Sequence, residues 1–135
     1  MNITKYVILY LIAVTVFLAV DMIWLGVIAK NLYRNNLKGL LRDKPNWAAA
    51  IIFYLLFIVG IIIFAVAPAI RNDSLITAVL YGGLFGFFTY ATYDLTNYAT
   101  LKNWPFNIVV IDILWGIVLT GIVSTVSYLA SKKIF

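Results

Sequence analysis

Trp47 to Ile70 reads WAAAIIFYLLFIVGIIIFAVAPAI. The run holds no charged side chain and exceeds the roughly 20 helical residues that a hydrocarbon core requires. A helix that is apolar on every face has no solvated side, so this stretch reads as a transmembrane span. Arg71 to Ser74 leave room only for a tight turn before a second apolar run, Leu75 to Tyr98, so the two spans form an antiparallel hairpin. Tyr6 to Ala29 upstream and Pro105 to Ala130 downstream are equally long and apolar. The expected fold is an all-α membrane protein, a four-transmembrane-helix bundle making one integral membrane domain over residues 1–135. Pro68 marks the expected end of the second span and Pro105 opens the fourth. The first span reads as a retained helix rather than a cleaved signal, because it contains Asp21 and Trp24 and lacks a small-residue cleavage site.

Composition agrees and removes whole classes of chemistry. Charged residues are 11% of the chain and apolar residues 64%, with a mean hydropathy of +1.02; soluble domains carry about 25% charge. There is no His, no Cys and no Glu, and all five acids are Asp. Zinc sites built on His or Cys, haem ligation by either, disulfides, Ser-His-Asp triads and thiol nucleophiles are excluded. No cofactor is implied. The net charge of +5 comes from Lys and Arg placed between the apolar runs, where they meet lipid headgroups rather than nucleic acid.

The connection Lys30 to Asn46 is the longest. Lys30, Arg34, Lys38 and Arg42 recur every fourth residue while Tyr33, Leu37 and Leu40 form an apolar arc, the pattern of an interfacial amphipathic helix. A solvated basic loop is the alternative, and Gly39 weakens the helix; either form binds anionic headgroups. Lys30, Arg34, Lys38, Arg42, Lys44 and Lys102 lie on one membrane face and Lys5, Arg71, Lys132 and Lys133 on the other. The positive-inside rule then places loop 30–46 in the cytoplasm and both termini outside. Ala78, Gly82 and Gly86 are spaced for close approach of another helix, either within the bundle or across a homodimer contact. Trp47 and Trp104 stand at span boundaries, as interfacial anchors do.

Asp21, Asp94 and Asp112 fall inside apolar runs, where each costs on the order of 3 kcal/mol. All three are expected roughly 6 to 12 Å below the same membrane face. Tyr54 lies at that depth on the second span, Tyr90 and Asn97 share a face with Asp94, Trp115 shares one with Asp112, and Trp24 stands one turn from Asp21. These eight residues form the candidate binding site, a pocket opening toward the cytoplasm. No Lys or Arg lies at this level, so a shared proton or a captured cation is the expected resting state. The competing reading makes the carboxyls hydrogen-bonding contacts between helices.

A faint tandem repeat runs through the chain. Asp21 and Trp24 precede Lys30-Asn31 as Asp94 and Asn97 precede Lys102-Asn103, and Trp47 and Trp104 then open the next span. The segments Asp21-Met22-Ile23-Trp24-Leu25-Gly26, Phe53-Tyr54-Leu55, Tyr90-Ala91-Thr92-Tyr93-Asp94-Leu95-Thr96-Asn97 and Asp112-Ile113-Leu114-Trp115-Gly116 resemble, in the same order and over nearly the whole chain, an uncharacterised bacterial integral membrane family, domain of unknown function 2177. The resemblance implies a bacterial inner-membrane protein of four helices and carries no activity.

Two functional classes follow from the residues. The first is a small transporter or ligand-binding protein in which the Asp cluster takes a proton or a cationic, small amphipathic substrate against aromatic faces. The second is a non-catalytic membrane subunit or lipid-binding helper with structural Asp residues. Acid catalysis on lipids stands behind both. An intramembrane protease is disfavoured because Val109-Val110-Ile111, rather than a Gly-x-Gly motif, precedes Asp112.

Overall fold

A computed structural model describes all 135 residues and contains helices only. Four are long and apolar enough to cross a membrane: α1, Ile3–Ile28; α3, Trp47–Asn72; α4, Leu75–Thr100; and α5, Phe106–Ile134. A short helix, α2, Leu32–Asn36, lies in the first connection. The spans begin where a cap is available. The side chains of Asn2, Asn46 and Ser74 accept from the backbone N–H of Lys5, Ala49 and Thr77 at 3.0, 3.2 and 3.2 Å, answering donors that a helix start leaves free. Pro105 stands one residue ahead of α5 rather than inside it.

Pro68 does not end α3. The helix runs on to Asn72 because the backbone widens into a π turn at Ile62–Val66, with Ala67 N–H bonded to Ile62 O. A proline clashes with the carbonyl four residues back and cannot donate to it; the wider turn absorbs both defects. α3 stops instead at Asp73, whose φ of 45° is left-handed, where Ser74 N–H reaches back to Ala69 O at 3.0 Å.

The first connection also departs from its reading. Only Leu32–Asn36 is helical. Gly39 adopts a φ of 87°, which the amphipathic helix could not accommodate, and residues 38–46 hold no helix. Lys30, Arg34, Lys38 and Arg42 are all exposed.

α4 and α5 make the most extensive contact, and small residues bring it about. Gly82 lies against Ser124 and Thr120, and Gly86 against Thr120 and Gly116. The Thr120 hydroxyl is 2.6 Å from Gly82 O and 2.7 Å from Gly116 O, its proton shared between the two carbonyls. Ala78, Gly82 and Gly86 are therefore buried inside the chain. The remaining core joins Leu9, Ala13 and Phe17 of α1 to Ile58, Ile61 and Val66 of α3 and to Leu119 and Val123 of α5. Outward-facing side chains are mainly apolar, with Leu56, Ile76 and Phe88 more than 60% exposed, the surface expected in lipid.

At the end holding the termini, Asp73 is clamped to α5. Its Oδ1 accepts from Tyr128 OH at 3.0 Å and pairs with Lys132 Nζ at 3.1 Å. The Lys132 hydrogen bond, then that of Tyr128, lowers the Asp73 pKa below its ordinary 3.8. A lowered folded-state pKa contributes stability above the unfolded value, which fades as pH falls through the folded one. Asp73→Asn should accordingly lower the thermal midpoint slightly at neutral pH, with the difference from wild type vanishing below 3.8 in a melting series against pH. A difference that persists unchanged in acid would refute the assignment.

Candidate functional site

The membrane end opposite the termini holds the polar groups. Asp21 on α1 is buried, and its two oxygens face Trp115 Nε1 of α5 and Tyr54 OH of α3, each at 3.3 Å. One carboxyl thus joins three spans through two long, weak hydrogen bonds. One turn on, α1 widens into its own π turn, Trp24–Ile28. The Trp24 indole stacks on Trp115, centroids 4.5 Å apart and planes 10° apart, and its Nε1 donates to Tyr33 OH at 3.1 Å. Tyr33 in turn donates to Asp112 Oδ1 at 2.7 Å. This relay pulls α2 onto the bundle. Asn107 Nδ2 donating to Asn36 Oδ1 at 2.8 Å and the buried Leu37 side chain hold it there. Burial and the neighbouring Asp112 carboxylate push the Tyr33 pKa above its ordinary 10.0, so Tyr33 stays a hydrogen-bond donor through the physiological range.

These groups surround a cavity of about 570 Å³. Asp21 and Asp112 supply its charge; Trp24, Tyr33, Tyr54, Phe57, Tyr90 and Trp115 supply aromatic wall. Its exposed members, Leu25, Phe53 and Tyr93, face outward from three different spans. The fully buried layer of Phe17, Ile58 and Leu119 separates it from the end that holds the termini.

Asp94 stands apart. It is 0% exposed, is not part of the cavity wall, and faces Asp112 and the Trp104 indole. Neither of its oxygens has a hydrogen-bond partner in the protein, and neither does Trp104 Nε1. Of the eight residues singled out from the sequence, Asp21, Trp24, Tyr54, Tyr90, Asp112 and Trp115 line the cavity, Asp94 lies behind it, and Asn97 does not reach it. Helical depth places Asp94 at the right level, but it is Trp104 and Asp112, both beside it, that line the cavity. Trp104, expected as an interfacial anchor, is half-buried and lines the cavity. Tyr33, Leu37 and Tyr93 also line it. The spacing of Tyr33 and Leu37 showed that they share a helix face, and nothing in that spacing distinguishes a face turned to lipid from one folded back on the bundle.

The only ion pair in the chain is Lys132 with Asp73, at the far end, so the carboxyls around the cavity have no cationic partner. No group of three or more acidic side chains converges as a metal site. The arrangement sets two carboxyls, those of Asp21 and Asp112, inside an aromatic chamber. Comparisons with curated proteins and with solved structures give no match. Residues 6–129 match the profile of the family described as "Predicted membrane protein (DUF2177)", and the chain belongs to that family.

Proposed function

We propose that this protein is a small membrane binding protein or transporter for an organic cation, held at Asp112 and Asp21 with its apolar part against Trp24, Trp115 and Tyr90. The observation that carries the reading is a mainly apolar cavity holding carboxyls for which the chain supplies no counter-charge. Asp112 is the principal anchor: it lines the cavity, accepts from Tyr33 OH at Oδ1, and has no basic side chain paired with it. Asp21 is half-committed to Tyr54 and Trp115 through longer bonds, which a ligand can replace. Transport would further require the Phe17 layer to part, since it closes the cavity on one side.

A bacterial inner membrane, which the family resemblance implies, belongs to the same proposal, and the distribution of basic residues supports loop 30–46 in the cytoplasm. Exposed Lys30, Arg34, Lys38 and Arg42 then rest on anionic headgroups beside the cavity, which supports a lipid-binding contribution from the loop.

The test compares benzyltrimethylammonium with neopentylbenzene, its uncharged isostere, on detergent-purified protein. The cation should raise the melting temperature and the isostere should not. Asp112→Asn should weaken cation binding about tenfold, the loss of one charge-assisted contact. Equal binding of the cation by wild type, Asp21→Asn and Asp112→Asn would remove the proposal.

A further inference from the structure

The cavity borders a gap between α3 and α4. The first half of α3, Trp47–Ile61, stands away from α4, whereas the π turn Ile62–Val66 packs closely on it. Aromatic rings rather than backbone bridge the open part: Phe85 of α4 stacks on Phe57 at 5.3 Å and on Phe64 at 5.8 Å. Gly60 makes this ladder fit, since a Cβ there would come within 2.8 Å of the Phe85 ring. Past Phe85, the same α3–α4 seam holds a second, almost entirely apolar groove of about 350 Å³ between Phe64 and the α4 residues Tyr81, Leu84 and Phe88.

Cavity and groove follow one line. On α3 the line runs from Phe53 to Phe64 and on α4 from Tyr93 back to Tyr81, as antiparallel neighbours must. Eleven helical residues span about 16 Å, which is about one leaflet of hydrocarbon. Charge lies only at the outer end of the track, on the side of one membrane face; the inner end is apolar, with Phe64 and Phe88 60% and 62% exposed.

We infer that the occupant is a membrane amphiphile with an ammonium headgroup, which enters sideways from the bilayer between α3 and α4. Its headgroup sits at Asp112 and Asp21 and its chain lies along the Phe57–Phe85–Phe64 ladder into the groove. The inference rests on the cation-binding reading above and adds the chain and the route. Charge complementarity assigns one end of the ligand, and continuity of the seam assigns the other. The headgroup chemistry is common to a bilayer aminolipid and to a free alkylammonium ion.

The experiment measures binding of butyltrimethylammonium and dodecyltrimethylammonium in maltoside micelles, corrected for micelle partitioning, by quenching of tryptophan fluorescence. The longer ion should bind about tenfold more tightly through contacts in the groove. Leu84→Trp, which fills the groove from a half-exposed position, should abolish that gain and leave butyl binding intact, which also reports the fold. Phe88→Ala should reduce the gain from the opposite direction, by removing contact. Asp112→Asn should weaken both ions. Displacement of the bound dodecyl ion by a single-chain ethanolamine phospholipid, but not by its glycerol counterpart, would identify a bilayer lipid as the occupant; no displacement by either would identify a free amphiphile. Equal affinity for both chain lengths, with Asp112→Asn still weakening each, would overturn the lateral, chain-bearing ligand and leave the cation site standing. Indifference of both ions to Asp112→Asn would overturn the two together.

Discussion

Gly86→Ala should destabilise the protein by about 3 kcal/mol, the upper part of the range for forcing extra volume into a packed interior. The added Cβ would overlap the Thr120 hydroxyl and the Gly116 carbonyl of α5. A hydroxyl can rotate away; a backbone carbonyl inside a helix cannot, so α4 and α5 must separate. Separation breaks the Thr120 contact with Gly82 O and withdraws the small-residue packing that replaces hydrophobic attraction between helices in lipid. It also moves Tyr90 and Asp94 away from Trp115 and Asp112, so cation binding should fall with stability. Gly26→Ala provides the contrast, because nothing lies within 4 Å of a Cβ at that position. Melting curves of the two detergent-purified variants should differ sharply, Gly26→Ala tracking wild type. A Gly86→Ala protein that melts with wild type would show that α4 and α5 slide past each other without penalty, and the account of their interface would fail.

Most of the fold was legible because lipid leaves few options. Long apolar runs bounded by Arg71, Asp73 and Lys102 can only be spans, and their observed edges lie within four residues of the expected ones. The Ala78, Gly82 and Gly86 spacing announced a close helix approach; which helix approaches depends on packing that no single segment encodes. Pro68 was misread because a proline near a helix end fits either a stop or a π turn, and the choice rests on the packing of the turn. The site was half legible. Helical depth and face brought six residues to one cavity, while the contribution of Tyr33 required α2 to fold back onto Asp112, and that contact joins positions 79 residues apart. Asp94 shows the other limit: periodicity gives the side of a helix a residue occupies, not which side chain stands in front of it.

That position behind the wall makes Asp94 the most informative substitution. A carboxyl in either protonation state needs well-formed hydrogen bonds, and Asp94 is fully buried with none of good geometry, only Asp112 and the Trp104 indole lying close to it. Leaving such a group unsatisfied costs about 1–3 kcal/mol. Asp94→Leu, similar in volume and without polar atoms, should therefore raise stability by about 2 kcal/mol. The same change at Asp21 should have the opposite sign. It would strand Tyr54 OH and Trp115 Nε1, which both donate to that carboxyl, and lower stability by about 1–2 kcal/mol. Two buried aspartates at one depth thus separate by their partners alone. If Asp94→Leu also binds benzyltrimethylammonium more weakly, the carboxyl beside Asp112 is kept at a cost in stability because the site needs its charge or its proton. Paired melting and binding measurements on the two Leu variants decide the matter. Destabilisation by Asp94→Leu would mean that Asp94 holds α4 to its neighbours, and its carboxyl would then be a structural contact.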